Sequence, residues 1–221
     1  FRIMGKIFAI GGGSFQKEEY HWMEEMALAS CGKENISVLF LPCASYDDQG
    51  YGKRMKKHLR KMGCSVEVLR LFHTKKAIQE IHMMMKEADV IYLGAGNMKV
   101  LKDKLIEIQA DEILKELFFK ENKILIGNSA GANVFFSYAY SDWKEDGSFC
   151  IEEGFHLVKG IFNPHAQDEK RKGILEAAKP YDLSVYNCKD NGMLVIEDTG
   201  KISAYLEGKE ISLESLYFLE K

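Results

Sequence analysis

The sequence predicts an α/β fold with a mostly parallel sheet, and two alternating patterns in the first half support this class. Short apolar runs rich in β-branched residues recur there, and they predict buried strands at residues 6–10, 36–41, 66–71, 90–93 and 124–126. Segments with helical spacing of apolar residues lie between them, at residues 18–30, 54–62, 77–88 and 101–119. Because strands that alternate with helices pair in parallel through right-handed crossovers, we expect a three-layer arrangement with helices flanking the sheet.

The second half of the chain has a different pattern of apolar residues. Residues 148–162 and 193–218 have the pattern of short strands and hairpins, and one helix is expected between them at residues 169–178. The C-terminal part is therefore expected to add antiparallel strands to the sheet. No linker, internal repeat or low-complexity tract interrupts the chain, so we expect one domain over residues 1–221.

Composition narrows the class of protein. With 46% hydrophobic and 29% charged residues the chain is expected to fold, and its net charge of −3 makes nucleic acid and anionic membranes poor partners. The five cysteines are odd in number and form no C-x-x-C pair, which favours reduced thiols. There is neither a signal-peptide pattern nor an apolar run of about 18–20 residues. We expect a cytoplasmic protein that is a monomer or a homodimer.

The motif with the clearest chemistry is Gly127-Asn128-Ser129-Ala130-Gly131. This G-x-S-x-G pattern joins a predicted strand directly to a predicted helix, which is the context of a nucleophile elbow. The two glycines leave room for the backbone to turn tightly around the serine. Ser129 is therefore the candidate nucleophile, with a simple helix N-cap as the alternative interpretation. The backbone amide of Ala130 is then expected to face a tetrahedral oxyanion.

A serine nucleophile needs a base, and two histidines follow Ser129 in the sequence, His156 and His165. His165 is the stronger candidate because it follows an apolar run and Pro164, and so is displayed at a strand end. His156 lies inside a stretch of strand alternation, which is more typical of a surface or structural histidine. We therefore expect His165 to act as the base.

The base in turn needs a carboxylate that orients its ring. Glu197 is the preferred candidate because it ends the apolar strand formed by residues 193–196. Asp142 is the alternative, since it lies in a predicted loop shortly after the nucleophile helix. Both choices remain open at this stage.

Two glycine-rich turns are expected at the same edge of the sheet as the nucleophile. In Gly94-Ala95-Gly96-Asn97, the amide of Gly96 is the candidate for a second oxyanion donor. We expect Asn97 and Gly12, which lies in the glycine run 11–13, to line the substrate site. The run lacks the spacing of a dinucleotide-binding loop.

These motifs together resemble the peptidase E (aspartyl dipeptidase) and cyanophycinase family of serine peptidases. The resemblance rests on residues 9–13, 94–97, 127–133 and 163–165, whose order and spacing cover most of the chain. It implies a fold similar to class I glutamine amidotransferase domains, which is flavodoxin-like. It also implies hydrolysis of small peptides, including dipeptides with an N-terminal aspartate, without a metal or cofactor.

By the same resemblance, Ser129 takes the position of the family nucleophile, His165 that of its base, and Gly96 and Ala130 those of the oxyanion donors. Glu197 and Asp142 both match positions assigned to the third member. Two other functions stay open. An esterase of the α/β-hydrolase type shares G-x-S-x-G but has its histidine after the acid, and a catalytically inactive relative would only bind ligands.

Overall fold

The computed structural model describes residues 4–216, and within them the chain forms seven α-helices and twelve strands. The helices are α1 Glu19–Ala29, α2 Gln49–Lys61, α3 Ile78–Glu87, α4 Met98–Glu107, α5 Ala110–Phe119, α6 Ala130–Asn133 and α7 Ile174–Ala177. The strands are β1 Lys6–Ile10, β2 Ser37–Leu41, β3 Ser65–Val68, β4 Val90–Leu93, β5 Ile124–Asn128, β6 Phe136–Ser141, β7 Cys150–Glu153, β8 Val158–Asn163, β9 Val185–Asn187, β10 Gly192–Glu197, β11 Ile202–Leu206 and β12 Lys209–Ile211.

The larger sheet has eight strands in the order β12-β11-β10-β1-β5-β4-β2-β3. Strands β1 to β5 pair in parallel, whereas β10, β11 and β12 add to the edge of β1 in antiparallel pairs. The predicted α/β class is thereby confirmed, including the parallel first half and the antiparallel C-terminal strands. All five parallel strands end at one edge of the sheet, which we call the active edge because open α/β sheets bind ligands there.

Both faces of this sheet are buried, which explains why its strands are apolar without interruption. Along β1, Phe8 and Ile10 face one core cluster together with side chains of α1 and α2. Ile7 and Ala9 face the opposite cluster, which contains side chains of α3, α4 and α5. The side-chain alternation of a strand thus divides β1 between two helical layers.

A second sheet of four strands has the order β7-β6-β8-β9. Its first strand, β6, follows the short helix α6 after two residues, and β8 and β9 pair in parallel beside it. After β9 the chain returns to the larger sheet as β10. The ends of β8 and β9 are therefore close to the active edge of the larger sheet.

Two predicted helices differ from those observed. The helix expected at 101–119 is two helices, α4 and α5, because Gln109 between them adopts a left-handed φ of 56° that a continuous helix does not tolerate. The helix expected at 169–178 is a 3-10 turn, Glu169–Gly173, followed by the single turn of α7. None of the described helices combines the length and apolar character that a membrane span requires.

Candidate active site

Ser129 occupies a sharp turn between β5 and α6. Its backbone has φ 52° and ψ −108°, an unfavourable conformation for a residue with a side chain. A Cβ at Gly127 would lie 2.4 Å from the carbonyl oxygen of Gly131, and one at Gly131 would lie 2.1 Å from that of Leu93. The backbone N–H of Ser129 donates to the carbonyl of Ile10 at 2.9 Å. The two glycines thus leave the space that the predicted elbow needs, and one hydrogen bond to β1 anchors Ser129 in it.

His165 follows the end of β8 and faces Ser129. Its backbone also has a positive φ, 51°, and its N–H donates to the carbonyl of Gly11 at 3.0 Å. The side chains of Ser129 and His165 meet at 2.9 Å between Oγ and Nε2. The structure therefore brings the predicted nucleophile and base into hydrogen-bond contact.

The other ring nitrogen of His165 contacts a residue that the sequence interpretation missed. Nδ1 of His165 lies 2.6 Å from Oδ1 of Asp190, which is in the connection between β9 and β10. Burial opposes ionisation of Asp190, but hydrogen bonds from His165 and Gln167, together with the charges of His165 and Arg171, outweigh burial and lower its pKa. Asp190 is therefore a carboxylate at neutral pH, which suits a residue that orients a histidine.

Backbone hydrogen bonds beyond the ends of β8 and β9 bring these two residues together. The N–H of Cys188 donates to the carbonyl of Asn163 at 2.9 Å, and the N–H of Ala166 donates to the carbonyl of Cys188 at 3.1 Å. These bonds continue the pairing of the two strands past their last residues. They place Asp190, two residues after Cys188, beside His165.

The structure places neither predicted acid at His165. Glu197 pairs with Lys6, the first residue of β1, and so lies at the edge of the sheet opposite Ser129. The reason is strand direction: β10 is antiparallel to β1, so its beginning rather than its end reaches the active edge. Asp142 instead lies 3.7 Å from the guanidinium of Arg171. The structure therefore corrects both acid predictions, because the carboxylate in contact with His165 is that of Asp190.

Gly12 lies directly against the His165–Asp190 pair. Its φ is 144°, and a Cβ there would lie 2.2 Å from Oδ1 of Asp190 and 2.4 Å from Nδ1 of His165. The carbonyl of Gly12 also accepts the N–H of Asn191 at 3.0 Å. The turn expected to line the substrate site thus supports the base and its acid, and only glycine fits there.

The second glycine turn presents Gly96 at the active edge. Gly96 has φ 145°, and a Cβ there would lie 2.2 Å from the carbonyl oxygen of Ala44. Within residues 4–216, neither the N–H of Gly96 nor that of Ala130 donates to a protein acceptor. Both predicted oxyanion donors are therefore available for a ligand.

Asn97 has a different environment from the one expected. Its Oδ1 accepts the N–H of Val100 at 3.1 Å, which caps α4, and its Nδ2 donates to the carbonyl of Trp143 at 3.1 Å. Both ends of the amide thus have partners in the protein. The side chain fixes the turn that carries Gly96 and ties it to the loop after β6.

The site contains a hydroxyl, an imidazole and a carboxylate, and each contacts the next in that order. Among the described residues, no group of three or more His, Cys, Asp or Glu side chains is placed to hold a metal ion. The line of side chains can move a proton from a serine to a histidine, and the two free amides can stabilise a negative oxygen.

Comparison with known proteins gives a family and named relatives. A model of peptidase family S51 matches residues 7–203. The Bacillus subtilis (strain 168) protein called uncharacterized peptidase YgaJ is 32% identical over 168 residues, which cover 76% of this chain and 71% of that protein. A Drosophila melanogaster protein named probable alpha-aspartyl dipeptidase is 34% identical over 98 residues, covering 44% of this chain and 38% of that protein.

Two solved structures share the fold. A peptidase E-type protein of Listeria monocytogenes EGD-e superposes with a TM-score of 0.67 at 20% identity, covering 95% of this chain and 100% of the other. A peptidase from an acI-B1 Actinobacterium superposes with a TM-score of 0.65 at 18% identity, covering 95% and 98%. At these identities the likeness concerns the fold.

Proposed function

Because the chain belongs to peptidase family S51, we propose that it hydrolyses small peptides with Ser129 as nucleophile, His165 as base and Asp190 as the orienting acid. One observation carries this proposal. The three side chains form a continuous hydrogen-bonded line, with 2.9 Å between Ser129 and His165 and 2.6 Å between His165 and Asp190. Both distances are short enough for a direct hydrogen bond between catalytic groups.

In the proposed reaction, Nε2 of His165 removes the proton of Ser129 as Oγ attacks the peptide carbonyl carbon. The amides of Gly96 and Ala130 hold the resulting oxyanion. His165 then gives its proton to the leaving amine, and an acyl-enzyme remains on Ser129. Water attacks that ester with His165 again as base, which releases the acid product and restores the hydroxyl. Asp190 keeps Nδ1 protonated throughout and stabilises the imidazolium.

Dipeptides with an N-terminal aspartate are the first substrates to test. Support comes from the Drosophila relative named as an alpha-aspartyl dipeptidase and from the peptidase E resemblance of the motifs. A dipeptide library that compares acidic with neutral N-terminal residues measures this preference directly. Equal kcat/KM for Asp and Ala at the first position would remove the aspartyl specificity and leave the peptidase function.

The free cysteines support a cytoplasmic location as part of the proposal. All five, Cys31, Cys43, Cys64, Cys150 and Cys188, are unpaired thiols. Burial raises the pKa of Cys43 and of Cys188 to about 12, so these two thiols stay protonated at neutral pH. Such an arrangement fits a reducing compartment.

A fluorophosphonate probe tests the nucleophile. We expect it to label Ser129 in the wild-type protein, and we expect Ser129→Ala to abolish labelling and to lower peptidase kcat/KM by at least about 1000-fold. Because Ser129 is half-buried and its hydroxyl contacts one side chain, the variant should keep the wild-type melting temperature. A matched control is Ser148→Ala, which changes an exposed serine in the loop between β6 and β7.

The results of these assays distinguish a peptidase from an esterase and from an inactive relative. Hydrolysis of simple acyl esters without hydrolysis of peptides would favour an esterase. The chain order Ser129, His165, Asp190 already differs from the serine, acid, histidine order of α/β-hydrolases. A folded wild-type protein that is neither labelled nor active would be an inactive ligand-binding relative, and the proposal would fail.

A further inference from the structure

Three turns carry the proposed active site, at residues 11–13, 94–97 and 127–131, and two buried tyrosines lie beneath them. Tyr20 is on α1 and Tyr51 is on α2, with 7% and 9% of their surface exposed. Their hydroxyls have no part in the proton transfer described above. Each hydroxyl nevertheless bonds to one of the turns.

Tyr51 holds the turn that contains Gly96. Its hydroxyl oxygen accepts the backbone N–H of Ala95 at 3.1 Å. A Cβ at Gly94 would lie 2.8 Å from Cε1 of Tyr51, so the turn rests directly on the ring. The ring is fixed in turn by an edge contact with Phe40, with 5.2 Å between centroids. The peptide next to the Gly96 donor therefore depends on one phenol.

Tyr20 holds the turn that contains Gly12. Its hydroxyl donates to the carbonyl of Gly13 at 2.9 Å. Burial raises the pKa of Tyr20 to about 12, so the hydroxyl keeps the proton that it donates. Gly12, next to Gly13, is the residue on which His165 and Asp190 pack.

Asn128 is a further neighbour of the two tyrosines. It directly precedes Ser129, and only 3% of its surface is exposed. Burial raises the pKa of both phenols, and the side chain of Asn128 partly offsets this effect in each. The residue before the nucleophile therefore interacts with both tyrosines.

We propose that Tyr51 and Tyr20 are positioning residues that set the Gly96 oxyanion donor and the Gly12 support relative to Ser129. This inference rests on the proposed function, because it assigns these residues to that reaction. A turn rich in glycine has few preferences of its own, so its geometry must come from outside contacts. Catalysis by oriented amides is sensitive to such geometry.

Tyr92 provides a matched control. It is 1% exposed, and its hydroxyl donates to Oε1 of Glu24 at 2.8 Å rather than to an active-site turn. Tyr92→Phe and Tyr51→Phe each remove one buried hydroxyl without changing the packing of the ring. Tyr92→Phe should cost at least as much stability as Tyr51→Phe, since it removes a bond to the buried Glu24, and should still leave the reaction unaffected.

The test compares Tyr51→Phe, Tyr20→Phe and Tyr92→Phe in the full chain. We expect Tyr51→Phe to lower kcat about 10-fold with KM changed by less than about twofold, since an oxyanion donor acts mainly in the transition state. We also expect the amide hydrogen of Ala95 to exchange with solvent at least about 10-fold faster than in Tyr92→Phe, because it has lost its acceptor. Tyr20→Phe should lower kcat with no change in Ala95 exchange, since its bond is to Gly13.

The two measurements also separate this inference from the proposed function. Fluorophosphonate labelling of the wild-type protein reports on Ser129, whereas amide exchange needs no activity. Unchanged Ala95 exchange in Tyr51→Phe overturns the positioning role even if Ser129 is labelled. Faster exchange of the Ala95 amide with an unchanged kcat would show that the Tyr51 hydroxyl is not important for the reaction. A wild-type protein without labelling ends the proposed function, and with it the catalytic part of this inference.

Discussion

Ser129 and the His165–Asp190 pair face each other in the candidate site, but they belong to different parts of the fold. The nucleophile half is one continuous stretch, from β5 through Ser129 into α6, in the eight-stranded sheet. The base half combines two segments that are about 25 positions apart in the chain, one after β8 and one after β9. Its strands belong to the four-stranded sheet.

The two halves are also held by different forces. Around Ser129 the constraint is steric, since Gly127 and Gly131 leave no space for a Cβ. Around His165 and Asp190 it is mainly a set of hydrogen bonds between chain segments, to which the close packing of Gly12 adds a steric limit. The steric requirement involves residues that are adjacent in the sequence. The hydrogen bonds join distant segments and form only in the folded protein. Substitutions in the two halves should therefore fail in different ways.

Among the substitutions that compare the supports of the two halves, Asp190→Asn in the base half should have the largest effect. The amide would place an N–H opposite Nδ1 of His165 and favour the wrong tautomer of the ring. The same change in serine proteases lowers kcat about 10,000-fold. Since 39% of the Asp190 side chain is exposed and water can partly replace it, we expect a fall in kcat of about 1000-fold. Steady-state kinetics at neutral pH measures it.

Glu197→Gln is the matched control for this substitution. Glu197 lies at the opposite edge of the sheet, so its kcat should be within about twofold of the wild-type value. Equal losses in Asp190→Asn and Glu197→Gln would mean that the observed pairing of His165 is not the one used in the reaction.

In the nucleophile half, an added side chain should disrupt the site by steric clash. Gly131→Ala tests this most directly. The new Cβ would lie 2.1 Å from the carbonyl oxygen of Leu93, so the elbow must move. Overpacking of this kind costs about 1–3 kcal/mol of the free energy of unfolding. A displaced Ser129 should also react about 100-fold more slowly with a fluorophosphonate. Urea unfolding and labelling rates give both values.

Gly50→Ala controls for a methyl group added where there is room. The nearest atom to a Cβ at Gly50 is Oδ1 of Asp48 at 3.4 Å, and Gly50 lies in α2. Alanine there should leave labelling unchanged and slightly favour the helix. If the probe labelled Gly131→Ala as fast as Gly50→Ala, then steric confinement of the elbow would not position Ser129.

The difference between the halves explains what the sequence could predict. Buried strands and G-x-S-x-G are local patterns, and the parallel sheet, the elbow and its position at the active edge follow from them. The family membership and the peptidase class are confirmed by the comparisons. The apolar spacing predicts one helix where the protein has two, at 98–107 and 110–119, since nothing local at Gln109 indicates its left-handed backbone.

The carboxylate that contacts His165 could not be predicted from local sequence alone, because its position depends on strand direction. An antiparallel strand beside β1 begins at the active edge, so the turn Asp190-Asn191-Gly192 before β10 was the signal that pointed to it. Glu197 ends that strand and so lies at the opposite edge of the sheet. Gln167 had no such signal, since its contact with Asp190 arises only when the segments after β8 and β9 meet.

The smallest effect is expected from Gln167→Ala, which weakens the support of the acid without removing it. Oε1 of Gln167 accepts the N–H of Asp190 at 2.9 Å, and its side chain also helps to lower the pKa of Asp190. Losing one such bond should lower kcat about 10-fold. The exposed Gln79 on α3 supplies the control, Gln79→Ala, which should leave kcat unchanged.

The stability of Gln167→Ala should depend on pH in a defined direction. A carboxyl whose pKa is lowered by folding stabilises the protein above its unfolded pKa of roughly 4, and this contribution disappears as pH falls through the folded pKa. Because Gln167→Ala raises the pKa of Asp190 towards its ordinary value, its deficit in free energy of unfolding should be largest near pH 7 and shrink by pH 3. Urea unfolding across this range measures it. A deficit that stays constant with pH would mean that Gln167 supports only the backbone of Asp190 and not its charge.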